Sequence, residues 1–457
     1  MSGSEKKVAI IGAGLAGSEA ALVLSSLGVR VMLYEARPLW VSPAHNTDKP
    51  AELVCSNSFK AATPPSAHGQ LKSELLSLGS PLLRAAKECA VPAGGALAVD
   101  REIFSEKVLQ EIERDPLIDL VREEIKEPPK GFDACIIAAG PLVSDSLAEW
   151  LKNRFSSESL NFYDAIAPII DFDSIDMSVA FFASRRDNDS FDYINCPFSE
   201  EEYRTFYDAL LHADQTQARS FEDSVFFEAC LPVEIMAGRG YKCLAFGPLR
   251  PVGITDPRTG RWPYAVCQLR RENKAGDSFN MVGFQTRLTI PQQKKVFRLI
   301  PGLENAEFLR YGSIHRNTYL NSPKLLSDDL SFSEEPDLFL AGQICGNEGY
   351  TESVATGHLS ALFVSRRLSG CSIEPPPLET ATGALLNHVT NSTSDPFTPS
   401  NIHFGLFPAL EQQRFNRKEG KKRKKQVLCE RATEKLNEWA EKTGVLTPNS
   451  KHLSPEK

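Results

Sequence analysis

Residues 7–35 carry the pattern that most restricts what this chain can fold into. Lys7 to Ile11 is a short apolar run and predicts a buried strand. Gly12-Ala13-Gly14-Leu15-Ala16-Gly17 follows as a glycine-rich turn. Ser18 to Leu27 is rich in Ala and Leu and predicts a helix that Gly28 ends, and Val29 to Tyr34 predicts a second strand with Glu35 at its C-terminal end. Each part has a physical task. Gly12 permits the tight turn, Gly14 lets a pyrophosphate approach the backbone, and Gly17 lets helix and strand pack closely. A helix N-terminus offers N–H groups and partial positive charge to phosphate. An acidic residue about 20 positions on suits ribose hydroxyls. The order of these parts predicts a βαβ dinucleotide-binding unit, with the six turn residues and Glu35 as cofactor contacts.

Two later segments extend this unit into one large α/β domain. Phe132 to Pro141 predicts a buried strand ending in a Gly-Pro turn. Asp337 to Gln343 predicts another that ends at Gly342, followed by Gly346, Glu348, Gly349 and a helical stretch to Leu368. In two-dinucleotide-fold flavoproteins such an ending delivers a helix N-terminus to the flavin, which makes Gly342, Gln343, Glu348 and Gly349 candidate cofactor contacts. The expected fold is α/β, Rossmann-like and of the glutathione-reductase type, binding FAD, with an inserted α+β substrate domain. The expected division is 1–170 and 330–370 for the FAD-binding domain, 171–329 for the insertion, and 371–457 for a helical and basic tail, partly disordered.

The insertion is rich in aromatic residues, Arg and Pro, with short strand-like runs at Val225–Cys230, Cys243–Phe246, Ala265–Leu269 and Asn280–Phe284. Its arginines at 185, 250, 287 and 316 have the fork geometry that grips phosphate or carboxylate. Tyr193, Phe198 and Tyr264 suit either base stacking or core packing, the latter being the commoner use. His45 is expected to be structural. In the tail, seven of the nine residues 417–425 are Lys or Arg, a run that can grip an RNA backbone or remain a solvated tail.

Composition excludes several classes. With 51 Lys plus Arg against 59 Asp plus Glu, the net charge is −8, unlike that of a protein that coats nucleic acid non-specifically. No long apolar run predicts a membrane span, and the N-terminus lacks the apolar region of a signal peptide, so a cytoplasmic location is expected. The ten cysteines form neither C-x-x-C nor C-x-x-x-x-C pairs, which weighs against a disulfide reductase on this fold. The eight histidines are scattered, and no metal site is expected.

Longer motifs point further. Tyr34-Glu35-Ala36-Arg37-Pro38, Ala51-Glu52-Leu53-Val54-Cys55-Ser56-Asn57-Ser58, Val91 to Arg101, Asp192 to Pro197, Phe227 to Glu234, Gly247 to Gly253, Ala341 to Gly346 and Phe404 to Pro408 together resemble the folate- and FAD-dependent tRNA (uracil-5-)-methyltransferases of bacteria. The resemblance is close over roughly 7–370 and looser in the tail. Ala229 and Ala13 stand where that family commonly has Gly.

C5 of uracil is a poor nucleophile. A thiolate adding at C6 makes it enolate-like, and a base must later remove the C5 proton. The resemblance implies C5 methylation of a T-loop uridine in tRNA. Methylenetetrahydrofolate would be the carbon source, FAD the carrier of carbon and hydride, and NAD(P)H the reductant. It places the key cysteines at Cys230 and Cys55, assigned as nucleophile and base with the reverse left open. It also makes Arg37 a cofactor contact, and Arg185 and Arg287 are the favoured substrate contacts. The expected partners are tRNA, folate and nicotinamide, with the protein a monomer or weak dimer. Ribosomal RNA as the target, or a non-catalytic FAD-bearing tRNA-modification scaffold, are the alternatives.

Overall fold

A computed structural model of the chain describes residues 6–42, 44–155, 160–185, 192–216, 231–372, 374–410 and 420–445, without the side chains of 160–164 and 314–316. Cys230 and the run Val225–Cys230 lie outside the described residues, as do 417–419 of the basic run.

Strand β1 (Lys7–Ile11) is central to a six-stranded sheet. β2 (Arg30–Glu35) and then Ile118–Arg122 pair on one side of it, Ala134–Ile137 and Glu335–Leu340 on the other, all in parallel. The short antiparallel strand Ser331–Phe332 closes one edge. The registers Ala9↔Met32 and Ala9↔Cys135 set β1 between two fully paired neighbours. That is why Val8 to Ile11 are apolar at successive positions rather than alternating: helices cover both faces of a parallel sheet. Helix α1 (Leu15–Ser26) and the long helix Tyr350–Leu368 pack on this sheet and on each other.

Residues 167–306 form a second apolar core. Its sheet is antiparallel, in the order Phe181–Phe182, Tyr193–Phe198, Ala265–Arg271, Ser278–Met281, Ile169–Asp171, Phe308–Arg310. Period-two alternation sends Ile194, Cys196, Phe198, Cys267, Leu269, Phe279 and Met281 into that core. There they meet Phe206 and Leu210 of the helix Glu200–Leu211, whose start is fixed by a Ser199–Glu202 capping box. The opposite sheet face carries Asn195, Gln268, Arg270 and Asn280, all buried and polar. Leu160–Ile166 and Ser313–Tyr319 pair antiparallel where the chain passes between the two cores.

Three local expectations change. Of the run Asn280–Phe284 only Asn280 and Met281 are strand, and the chain turns at Val282 and Gly283. Cys243–Phe246 is a helical turn, not a strand. The basic run from 420 onward is the first part of a helix spanning Gly420–Thr443. That helix buries Leu428, Ala432, Leu436 and Trp439 in the first core at helical spacing, each apolar side chain contributing about 1.5–3 kcal/mol, while Lys421 to Lys425 stay exposed. Phe198 and Tyr264 pack in the second core, Tyr264 with its ring 5.2 Å from that of Tyr203.

Glu74, fully buried on the helix Ala67–Ser77, accepts hydrogen bonds from the N–H groups of Ala381 and Thr382 at 2.7 and 2.8 Å and so holds the start of the helix Ala381–Asn391. Burial pushes its carboxyl up to about 7 despite those donors. Gln70 Nε2 also donates to Glu74 Oε1, at 3.1 Å. Because the folded state holds the Glu74 proton up to about pH 7 while an unfolded carboxyl releases it near 4.5, stability falls as pH rises through that window. Glu74→Gln mimics the protonated form. Its melting temperature should match wild type at pH 5 and exceed it at pH 8, where the gain in unfolding free energy is at most about 3 kcal/mol; a parallel pH profile for the two proteins would refute the assignment.

Candidate functional site

The turn after β1 shows what each glycine does. Gly12 has φ +101°, and a Cβ there would lie 2.6 Å from the carbonyl oxygen of Ala138. A Cβ on Gly17 would lie 1.8 Å from the carbonyl oxygen of Gly12. Gly14 differs: a Cβ there would meet nothing within 4 Å, so its surface is open for a ligand. Gly14 is the N-cap of α1 and makes no side-chain capping bond, so the first N–H groups of α1 have no capping side chain. Ala13 does not have a positive φ, which explains why a methyl group is tolerated where Gly is common.

Glu35 sits at the end of β2, beside the turn. One carboxylate oxygen accepts from Arg37 Nε at 2.8 Å and Arg37 N at 3.1 Å; the other accepts from Ala13 N and Arg37 Nη2, both at 3.1 Å. Burial opposes its ionisation, but the Arg37 bonds outweigh burial and hold the carboxyl below its ordinary range. Arg37 also bonds Glu52 at 3.0 Å and the carbonyl of Thr47 at 3.1 Å. Sequence reasoning treats Arg37 as a direct cofactor contact. In the structure Arg37 is 3 % exposed, lines the cleft and spans two carboxylates, and so also fixes Glu35 against the turn.

These residues line a solvent-open cleft of about 1060 Å³ whose walls include Gly12, Gly14, Leu15, Ala16, Glu35, Arg37, His45, Gly342 and Gln343. His45 Nδ1 lies 2.6 Å from Ser42 Oγ. A second cleft of about 1160 Å³ shares Val54, Pro141, Leu142, Gln343 and Tyr350 with the first, so the two form one continuous groove. Cys55, Lys60, Arg270, Asn280, Glu348 and Gly349 line the second part.

The long helix Tyr350–Leu368 delivers its N-terminus to the junction. Its N-cap, Gly349, has φ +114° and no side-chain capping bond. Gln343 Nε2 donates to Glu348 Oε1 at 2.6 Å, and Gly342 N donates to Thr356 Oγ1 at 2.9 Å. The helix is brought this close to α1 because Gly357 has no side chain: a Cβ there would be 2.2 Å from the carbonyl oxygen of Ala16. Two helix N-termini thus face one elongated groove, with a fixed carboxylate at one end. This fits a dinucleotide cofactor, its phosphates at Gly14 and its far end at the second cleft.

Cys55 is half-buried in the wall of that second cleft. The backbone N–H groups of Cys55 and Ser56 donate to the Tyr350 hydroxyl at 2.9 and 3.0 Å. Burial, then the neighbouring Cys55, raises the Tyr350 phenol far above its usual range, so it remains a neutral hydroxyl. Arg101 holds the same loop from behind, donating to the carbonyl of Leu53 at 3.0 Å while forking onto Glu272 at 2.8 and 3.0 Å. Cys135 and Cys345, by contrast, are buried, and burial pushes both thiols up to about 12, as suits inert core positions.

Other candidates fall elsewhere. Arg185 lies on the polar sheet face, its Nε donating to Gln268 Oε1 at 2.8 Å, and Arg287 N donates to Glu234 at 2.8 Å; neither side chain is in the groove wall. Arg250 is exposed, and the side chain of Arg316 is not described. Tyr193 donates to the carbonyl of Ala93 at 3.0 Å. Cys230 lies outside the described residues, but the chain resumes at Leu231, and Val233 N donates at 2.7 Å to the carbonyl of Gln285, a residue of the second cleft. Sequence reasoning missed Tyr350, Lys60, Arg270, Asn280 and Asn401. The available signal was the alternation Cys267-Gln268-Leu269-Arg270, which places two polar side chains on one face of a strand. Among the described residues no cluster of His, Cys, Asp or Glu could hold a metal, and no helix is long and apolar enough to cross a membrane.

A parallel sheet with two helix N-termini at one groove, capped by an antiparallel sheet, defines the α/β fold of FAD-dependent oxidoreductases. The Aquifex aeolicus GidA crystal structure shares this fold, with a TM-score of 0.69 at 15% identity, covering 98% of this chain and 75% of that one. Residues 7–372 match the family described as glucose inhibited division protein A. The methylenetetrahydrofolate--tRNA-(uracil-5-)-methyltransferase TrmFO of Geobacter sulfurreducens is 52% identical over 433 residues, covering 94% of this chain and 98% of its own length. The enzyme of the same name from Desulfitobacterium hafniense is 50% identical over 438 residues, covering 96% and 99%. The chain belongs to the TrmFO family of methylenetetrahydrofolate--tRNA-(uracil-5-)-methyltransferases.

The helix crossing supplies a direct test. Gly357→Ala should force α1 and the long helix apart, lowering stability by about 1–3 kcal/mol, and should weaken the affinity of the groove for a dinucleotide. A urea midpoint and an absorbance spectrum unchanged from wild type would show that the close approach is dispensable.

Proposed function

We propose that this chain methylates C5 of a T-loop uridine in tRNA, taking the carbon from methylenetetrahydrofolate. The observation that carries this reading is Cys55 in the wall of a cleft continuous with the dinucleotide groove, in a chain of about 50% identity to curated methyltransferases over nearly its full length.

Gly14, the N-terminus of α1, Glu35 fixed by Arg37, and the N-terminus at Gly349 would hold FAD along the groove. When bound, FAD would supply the redox chemistry of one-carbon transfer, with NAD(P)H as the source of electrons. The chain itself has three tasks. It must expose a thiolate to C6 of the uracil, remove the proton from C5 after the new bond forms, and exclude water from both. Cys230 takes the first role and Cys55 the second in this reading. Support for Cys55 comes from its placement: Tyr350 and Arg101 grip the backbone on either side of it, so its side chain is presented from a fixed loop. Support for Cys230 comes from the connection of Val233 to Gln285 at the same cleft. A uridine in folded RNA must leave its stack to enter, at a cost of a few kcal/mol.

The test is incubation with tRNA, labelled methylenetetrahydrofolate and NADPH, followed by digestion and measurement of label in 5-methyluridine. Ribosomal RNA transcripts serve as the competing substrate. Cys55→Ala and Cys230→Ala are each expected to reduce label transfer by more than about 10²-fold while the protein stays yellow. Transfer from S-adenosylmethionine instead, or full activity in both variants, would overturn the reading.

A further inference from the structure

Most of the polar ladder on the cleft-facing side of the second sheet is satisfied internally. Asn195 and Gln268 bond each other at 2.9 Å, and Arg185 completes Gln268. One rung is different. Arg270 and Asn280 are direct cross-strand partners in register, so their side chains share one face. Both line the second cleft together with Cys55. Arg270 is 9 % exposed, and its Nε donates to Asn57 Oδ1 at 3.0 Å. Its two terminal nitrogens have no partner among the described residues. Asn280 is 3 % exposed, and its buried Nδ2 has no partner either.

Leaving such donors unmade is costly, and a guanidinium with two free nitrogens in a cleft wall is costlier than an amide. The arrangement has a direction. Asn57 Nδ2 donates to the carbonyls of Arg271 at 2.9 Å and Val99 at 3.1 Å, so its Oδ1 is turned to receive Arg270. That bond fixes the guanidinium by its Nε and leaves the Nη edge to the cleft. Among the described residues of the cleft wall the one carboxylate is that of Glu348, which accepts from Gln343. What the rung offers is therefore donors, held in place, for an acceptor oxygen.

We infer that Arg270 and Asn280 are the oxygen-binding pair of the pyrimidine site, receiving the uracil carbonyl oxygen that becomes an enolate oxygen during the reaction. This rests on the methyltransferase reading above. When the thiolate adds, the sulfur–C6 bond forms and the C5=C6 π pair shifts toward C4, placing negative charge on O4. No proton moves in that step, and no oxidant or reductant is consumed. The enolate then uses its C5 electron pair to bond the one-carbon electrophile, whose C=N π pair returns to nitrogen. Loss of the C5 proton to a base expels that nitrogen and leaves an exocyclic methylene; a hydride, drawn ultimately from NAD(P)H in the reading above, adds to the methylene and expels the thiolate, which restores the ring. Donors already oriented at the developing oxyanion lower the barrier to the addition without reorganising during it. A donor edge at O4 also disfavours cytosine, which presents an amino group there.

The test uses the full flavin-loaded chain and a tRNA carrying tritium at C5 of its uridines, with methylenetetrahydrofolate as the donor and NADPH as the reductant. The wild type is measured first: absence of tritium release there refutes the methyltransferase reading itself, whereas variants falling below a working wild type bear on the pair alone. Arg270→Gln is expected to lower the single-turnover rate of tritium release by about 10²–10³-fold, and Asn280→Ala by about tenfold. Both should keep the flavin spectrum, the tRNA dissociation constant and the KM for methylenetetrahydrofolate within about twofold of wild type. Arg270→Lys should restore part of the rate, since it keeps a cation and loses the fork. A raised folate KM at an unchanged saturated rate would assign the pair to a folate carboxylate and overturn the inference. Unchanged rates in both variants would do the same. Should Arg270→Gln fold poorly, Asn280→Ala decides by the same criteria.

Discussion

The approach of two helices at one backbone contact governs this architecture. Gly357 lies against the carbonyl of Ala16 with no room for a side chain between them. That contact sets the depth to which Tyr350–Leu368 sinks against α1. It therefore sets where the second helix N-terminus falls relative to the first. A Cβ on Gly342 would lie only 3.0 Å from that of Ala16, so the strand end and both helices converge on the same few atoms. From there the consequences run outward. Tyr350, the first residue of the long helix, carries its hydroxyl to the Cys55 loop, so that loop is positioned by the same contact as the helix N-terminus.

The second sheet contributes something different. Its inner face is an ordinary apolar core, and its outer face is a set of buried polar side chains that no hydrophobic argument requires. Such a face persists in a folded protein only where bonds or ligands complete it. Asn195, Gln268 and Arg185 complete one another, and Asn57 completes part of Arg270. The groove is thus assembled from unlike walls: backbone N–H groups and glycine surface on the sheet of β1, side-chain donors on the other.

Much of the first wall was legible in the sequence because its determinants are local. A strand, a glycine turn, a helix and a terminal acid follow in order within 29 residues, and each has a conformational reason to be there. Glu35 was placed correctly at the end of β2, whereas the role of Arg37 as a strut was hidden, because its partners Glu52 and Thr47 belong to a loop with no periodicity. Cys243–Phe246 shows the limit for short runs. Four residues are too few to distinguish a helical turn from a strand, and here Gly240 and Gly247 frame a helical turn. Lys421 to Lys425 read as a tail because charge masks periodicity, but they continue the same helix that packs Leu428 and Trp439. Arg270 and Asn280 were beyond reach for a third reason: their meeting depends on strand register, and a register is a property of two segments rather than one.

The bonds that cross between the cores have a consequence for how this molecule comes apart. Arg101, beside the first core, forks onto Glu272 at the end of a strand of the second, and Asn57 reaches from the cysteine loop to Arg271 and Arg270. Separating the halves would break all of these bonds together. The two cores are therefore not independent modules on a hinge. They are tied together at the loop that carries Cys55, between Arg101 and Asn57.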